Sequence, residues 1–478
     1  MPSATTLKLA DTLRTMMIMT LLTFGSEIAQ PHAIASVPNP IVVGPIAATV
    51  APGDPSHDYP FFSTPVDLAA RGYVEEEYFF DGVVSRYDIP AAITLANTPM
   101  TTANVIESDV PYRTRMIVRR PASPNGFSGT VLIEWQNVSF GYDIDAVWLT
   151  SFEHLVRRGY AWIGVSAQRV GVHAASGLRA WSPARYATLD LTAGGTRTDD
   201  SLQYDVFSQA AQAVRHPVGI DPMGGLTVER IIAAGVSQGA IRLVAYHNAV
   251  HPLAGVFDGF MPVLHGAALR TDLGTKVFKV LSETDVWRDQ IPYRQLDSDT
   301  LRRWEVAGSA HLDFRFEQQL LPLQVRDLGV GPIPTCTSPP FSRIPLAFVM
   351  NAALDHMVGW IKNGVAPPTG PDIETVGVPE VIARDGFGNA LGGIRLSQHA
   401  VPTATNTGVN GPPANACRTY GSYMPFSDQT LAALYGNHGA YVSQVARVTG
   451  DNLGAGYIVV EDAEATIREA ARAGIGRR

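Results

Sequence analysis

A serine set between glycines, Gly235-Val-Ser237-Gln-Gly239, follows the β-branched run Val228 to Ala234 and precedes the helix-forming run Ala240 to His247. Strand, Gly-x-Ser-x-Gly turn and helix in this order lift a serine hydroxyl clear of a sheet as a nucleophile elbow. The reversal is so tight that the serine must take strained dihedrals. A side chain at 235 or 239 would collide with the neighbouring strand or helix. In return, the hydroxyl stands at a helix N-terminus, where developing negative charge is favoured. The chemistry implied is nucleophilic attack on a carbonyl carbon. With 44 glycines in the chain the five-residue pattern is weak alone, and its strand-and-helix context carries the inference.

Such a serine needs a base to take its proton and an acid to orient that base. The order along the chain for this arrangement is serine, acid, histidine, with each partner at the end of a later strand. The apolar run Val277 to Leu281 ends in Ser282-Glu283-Thr284-Asp285, and Arg303 to Ala307 ends in Gly308-Ser309-Ala310-His311. His311 is the expected base, because it alone of twelve histidines ends a strand after an acid. His247 and His251 ride on the elbow helix or its end, His265 precedes the acid, and His356 sits inside a helical run. Two carboxylates compete for the third role. Asp285 falls where a loop residue can reach back to the imidazole, and Glu283 is nearer the strand end with a longer arm. Asp285 is preferred and Glu283 is the alternative.

Backbone amides should stabilise the oxyanion: that of Gln238, and one from the loop Trp135 to Gly141, assigned to Asn137 or its neighbour. Trp135, Phe140, Tyr142 and Trp148 are candidates for pocket walls. Asn137-Val-Ser139 is also a glycosylation sequon, but a glycan there would block the site.

The elements that must position these groups alternate in type. Tyr73 to Tyr87 reads as an opening hairpin and Tyr112 to Arg120 as a half-buried strand. Gly129 to Glu134, Tyr160 to Val165, Val228 to Ala234, Gly255 to Val263, Lys276 to Leu281 and Arg302 to Val306 read as strands. Helices are expected at Asp145 to Arg158, Asp199 to Arg215, Arg343 to Lys362 and Asp462 to Ala473. This alternation implies a mostly parallel central sheet with helices on both faces, the elbow following the fifth strand. Four segments are expected: a signal peptide over 1–35, a Pro-rich leader over 36–69, a catalytic core over 70–370, and a mixed C-terminal cap or flanking subdomain over 371–478.

With these residues in place, the chain resembles the α/β-hydrolase superfamily, and more narrowly the exported bacterial alpha/beta hydrolase domain proteins. The segments that carry the likeness are Glu134-Trp-Gln-Asn-Val-Ser139, Tyr204 to Gln209, the elbow, Ser282 to Asp285, Trp304 to His311, Trp360 to Pro368 and Asp385 to Arg395. The resemblance implies carboxylic ester hydrolysis without defining a substrate.

Composition and termini bound the rest. A formal net charge of −8 and the absence of any basic stripe argue against a nucleic-acid or anionic-membrane partner. Lys8 and Arg14 precede the apolar run Met16 to Phe24, and Ala33-Ile-Ala35 offers a cleavage site, so export without a membrane anchor is expected. The two cysteines, Cys336 and Cys417, suit that compartment as one disulfide, the alternative being two separate thiols. The sequence therefore reads as a secreted or periplasmic serine esterase needing no cofactor or metal, acting on a small-molecule or polymeric ester. Its rivals are an amidase or peptidase with the same triad, and a binding protein that has lost catalysis on the same fold.

Overall fold

The computed structural model describes residues 37–330, 335–411 and 416–477; the expected signal peptide lies outside them. The strands are β1 (Ile41–Val43), β2 (Tyr73–Tyr87), β3 (Val105–Pro121), β4 (Thr130–Trp135), β5 (Ala161–Val165), β6 (Val218–Gly219), β7 (Arg230–Val236), β8 (Gly259–Val263), β9 (Lys276–Ser282) and β10 (Leu301–Val306). They form one sheet in the order β10-β9-β8-β7-β4-β5-β3-β2-β1-β6. The run from β10 to β5 is parallel throughout, and β3, β2 and β1 extend it antiparallel.

The apolar runs of the parallel strands follow from burial on both faces. Every residue of β4, β5, β7 and β8 is buried. Trp162 of β5 pairs in register with Leu132, three residues from Trp135, so the two indoles point to opposite faces. Trp135 packs on Phe207 of the helix Gln203–Arg215, and Trp162 packs on Trp148 of the helix Ala146–Arg157. Helices thus cover both sides, as the alternation of elements implied.

Three expectations need correction. Tyr73–Tyr87 is one continuous strand rather than a hairpin; it pairs with β3 from Tyr73↔Pro121 to Tyr87↔Val105, and the pair Asp81-Gly82, a turn signal elsewhere, runs straight through. The alternation in β3 is not a half-solvated face, because Arg115 and Arg119 are fully buried. Glu77 holds Arg115 at 2.8 Å and Arg185 at 2.6 Å, while Arg119 meets Glu75 and Asp145, each at 2.7 Å. Nor is the segment before β2 a loose leader. It supplies β1, and Tyr59 buries its ring and donates its hydroxyl to Asp327 at 2.7 Å. Two long helices also escaped the sequence reading: Phe314–Leu328, disguised by the internal Pro322, and His438–Gly454.

Residues after 371 brace the ends of β9 and β10. Ile373, Ile382 and Ala390 pack on Leu281, Val286 and Ala307, and Ile394 bridges Val306. Cys336 and Cys417 are disulfide-bonded, with Cα atoms 5.6 Å apart. Among the described residues no helix is long and apolar enough to cross a membrane.

Glu77 is buried between two arginines, so its removal leaves Arg115 with only Asp143 at 3.7 Å and Arg185 with Asp58 at 3.3 Å as carboxylate partners. Glu77→Ala is expected to cost about 3–5 kcal/mol in chemical denaturation; a loss below about 1 kcal/mol would show that the network is solvated in solution.

Candidate active site

At the end of β7 the chain reverses through Ser237, whose φ of +56° and ψ of −115° lie outside the usual regions for a residue with a side chain. Packing forces this conformation. A Cβ at Gly239 would sit 2.5 Å from the Trp135 carbonyl oxygen, and one at Gly235 would sit 2.9 Å from the Gly239 backbone. The Ser237 N–H donates to the Val263 carbonyl at 2.9 Å, which locks the turn to β8. The helix Gln238–Ala245 begins at once, as the elbow pattern requires.

The structure brings three of the expected side chains into line. Ser237 Oγ lies 2.7 Å from His311 Nε2, and His311 Nδ1 lies 2.7 Å from Asp285 Oδ1. The consistent proton arrangement has Nδ1–H donating to the carboxylate and the serine hydroxyl donating to Nε2. Asp285 also receives the Ser282 hydroxyl on Oδ2. Burial alone would raise the Asp285 carboxyl, but the His311 ring and the Ser282 hydroxyl more than offset burial and hold it below the usual carboxylate range.

Glu283 is placed differently. It is fully buried, accepts the Gly308 N–H at 2.7 Å and pairs with Arg384 at 2.7 Å, with no hydrogen bond to His311. Thr284, between the two acids, accepts the His311 N–H at 3.1 Å and donates to the Gly408 carbonyl at 2.6 Å. Among the described residues no other histidine is hydrogen-bonded to Ser237 or Asp285. His247 and His251 are buried in helical turns beyond the elbow helix, burial lowers His265 to about 3, and His356 meets the Gly456 carbonyl.

The Gln238 N–H opens its helix and meets no acceptor among the described residues, the condition expected of a first helical amide. The expected second donor needs correction. Asn137 N–H is turned to the Ile144 carbonyl at 3.3 Å, because the loop folds back and Ile144 N–H answers to the Asn137 carbonyl at 2.9 Å. The neighbouring Val138 N–H faces Gln238 Oε1 at 3.3 Å. Asn137 instead braces the elbow, donating its carboxamide to the Val236 carbonyl at 3.1 Å.

A cleft of about 240 Å³ opens over Ser237 and His311. Phe140 lines it, together with Ile144, Leu312, Phe316, Ala416 and Thr419. Trp135, Trp148 and Tyr142 are core residues instead. Phe316, Ala416 and Thr419 left no local signal, because they reach the cleft from segments distant in sequence. Glu134 did leave one, an acid inside an apolar strand. It accepts the Val147 N–H at 2.9 Å and the Trp162 indole N–H at 2.8 Å, fixing the start of the helix Ala146–Arg157, and burial pushes it up to about 8. Among the described residues no group of three or more His, Cys, Asp or Glu side chains is arranged to hold a metal ion.

A largely parallel sheet covered on both faces, with a strained serine at a strand-to-helix elbow, defines an α/β hydrolase. The chain belongs to the alpha/beta hydrolase domain family, whose model matches residues 42–468. Solved structures with similar chains include an α/β serine hydrolase without a lid from Xanthomonas campestris (15% identity, 46% of this chain and 92% of that one, TM-score 0.26). They also include the rice cell wall degrading esterase LipA from Xanthomonas oryzae (14% identity, 40% and 43%, TM-score 0.20). A prolyl endopeptidase is a third (11% identity, 51% and 36%, TM-score 0.26). At these identities and TM-scores no substrate is transferred from them. No curated protein matches the chain.

The low Asp285 value has a measurable consequence. Between its folded value and the ordinary one near pH 4, the unfolded chain binds a proton that the folded chain does not. The stability it contributes is therefore full above about pH 4 and lost as pH falls through the folded value. Asp285→Asn should flatten part of the acid limb when denaturation midpoints are followed from about pH 6 to about pH 2. An acid limb unchanged from wild type would mean that His311 and Ser282 do not hold the carboxyl low.

Proposed function

We propose that this protein is a carboxylic ester hydrolase working through Ser237, His311 and Asp285. The observation that carries the reading is the unbroken line from the serine hydroxyl through the imidazole to the buried carboxylate, with 2.7 Å at each step. Ser237 Oγ attacks the ester carbonyl carbon while His311 Nε2 takes its proton, and Asp285 holds the resulting imidazolium. The amide of Gln238 faces the negative charge that gathers on the carbonyl oxygen. Collapse breaks the carbon–alkoxide bond, and His311 returns the proton to the leaving oxygen, which departs as the alcohol. Water then repeats the cycle on the acyl-serine: His311 takes a water proton, the acid is released, and Ser237 regains its hydrogen.

The assignment of Asp285 in preference to Glu283 rests on the ties of Glu283 to Gly308 and Arg384. The Cys336–Cys417 bond supports work outside the cytoplasm, in keeping with the export signal read from the sequence. We take residues 70–370 as the catalytic core and 371–478 as an extension that both braces it and walls the cleft.

Turnover of p-nitrophenyl esters from acetate to palmitate, set beside matched p-nitroanilides, tests the class and sizes the acyl site. Ser237→Ala should remove the ester activity, and Asp285→Asn should lower kcat by about 10⁴-fold. Glu283→Gln should lower kcat at least a hundredfold less than that. Serine-independent turnover would discard the nucleophile, anilide preference would make the protein an amidase, and a larger loss in Glu283→Gln would reverse the acid assignment.

A further inference from the structure

Two recesses meet at His311. They share Val236, His311, Leu312 and Phe316 as common walls, but they differ in chemistry. The larger one holds Ser237 and is mainly apolar, with Phe140, Ile144, Ala146 and Ala416 around it and Arg288, Ser139 and Thr419 as its polar walls. The smaller one, about 60 Å³, reaches the base without reaching the nucleophile. Its lining includes Ser151, His154 and Asn351, which are at most 5% exposed. Each of these three carries a side-chain atom with no hydrogen-bond partner: Ser151 Oγ, His154 Nδ1 and Asn351 Oδ1. Buried polar atoms are normally paired, so three such atoms around one small recess call for an explanation.

Their other contacts fix what they offer. Asn351 Nδ2 donates to Asp462 at 2.8 Å, which leaves Oδ1 as an acceptor. His154 Nε2 lies 2.9 Å from Asp355, so in the neutral ring the proton sits there and Nδ1 is an acceptor. Ser151 can donate or accept. The recess is also lined by Arg315 and Glu153, which are exposed and face each other at 3.7 Å, by Gln319, and by Asp313, which accepts the Phe316 and Leu346 N–H groups. The unpartnered buried atoms, two acceptors and a hydroxyl, complement a hydrogen-bond donor. At about 60 Å³ the recess is a quarter the size of the cleft over Ser237 and suits a short polar arm.

Position assigns the half of the substrate. His311 must deliver a proton to the leaving oxygen, so the departing alcohol lies against the imidazole, on the side away from the acyl group. We infer that the small recess is the alcohol subsite, that it recognises a free hydroxyl on the leaving group, and that the substrates are esters joining an apolar acid to a diol or polyol. This rests on the esterase reading above.

The test is kcat/KM for a matched pair, 2-hydroxyethyl butyrate and propyl butyrate, which differ by hydroxyl against methyl. Wild type should prefer the hydroxyethyl ester by at least tenfold, and both Ser151→Ala and Asn351→Leu should bring that ratio toward one. Because the ratio is read within one preparation, a fall in the properly folded fraction cancels, and Ser151→Ala carries the test if Asn351→Leu does not fold. A wild-type ratio near one, or a ratio kept in both variants, overturns the subsite while leaving the esterase reading intact. Absence of Ser237-dependent turnover on both esters overturns that reading, and this inference with it.

Discussion

The close approach of the elbow helix to β4 governs the rest of the molecule. With a Gly239 Cβ only 2.5 Å from the Trp135 carbonyl, helix and strand have no room for a side chain. Ser237 must therefore turn with a positive φ, at a cost of roughly 1–3 kcal/mol. Such strain persists only where surrounding structure over-determines it. The overdetermination is visible: Trp135 is buried against Phe207, Val236 is held by the Asn137 carboxamide, and Ser237 is tied to β8. Once the serine is fixed, His311 and Asp285 have to come to it. A parallel sheet makes that possible, since β7, β9 and β10 all end at the same edge and each delivers a loop there.

On the far side of the sheet, stiffness comes from charge rather than from apolar packing. Glu77 sits between Arg115 and Arg185, and Arg119 lies over the Trp148 and Trp162 rings within 4.7 Å of each. Buried ion pairs are weak evidence of stability, because desolvation consumes most of the Coulombic gain. Their geometry is exacting, however, and here it links β2 and β3 to the helix start at Asp145 and to the segment around Arg185. Asp145 also receives the Gln136 carboxamide, so the network ends one residue from the loop that braces the elbow.

What could be read in advance follows the range of the interaction. The strands β4, β5, β7, β8 and β9 were legible as largely apolar runs because both their faces are buried. The elbow was legible because its five-residue spacing is local, although the contact that demands Gly239 is with Trp135, far away in sequence. The order of serine, acid and histidine followed from parallel topology. Misreadings arose where the decisive partner is remote or the rule admits exceptions. Arginine is usually exposed, so the buried face of β3 read as half-solvated. Proline usually ends a helix, yet Phe314–Leu328 continues through Pro322. The choice between Asp285 and Glu283 depends on Arg384, a hundred positions away, and the fate of the Asn137 amide depends on a loop folding back on itself. Neither leaves a local periodicity.

The same remoteness explains how the C-terminal region enters the site. The His311 ring is held between two partners at 2.7 Å, although His311 itself sits in a loop. Four backbone or side-chain bonds position that loop and the acid loop beside it. Gly308 N–H meets Glu283, His311 N–H meets Thr284, Leu312 N–H meets the Thr419 carbonyl at 2.8 Å, and Thr284 is itself anchored on Gly408. Gly408, Thr419 and the Arg384 that balances Glu283 all lie beyond residue 371. Thr419 stands two residues from Cys417, which the disulfide joins to the segment after the helix Phe314–Leu328. The extension therefore does for the histidine what β4 and β8 do for the serine. It supplies fixed backbone against which a loop is pinned, and through Thr419 and its neighbour Ala416 it also walls the cleft.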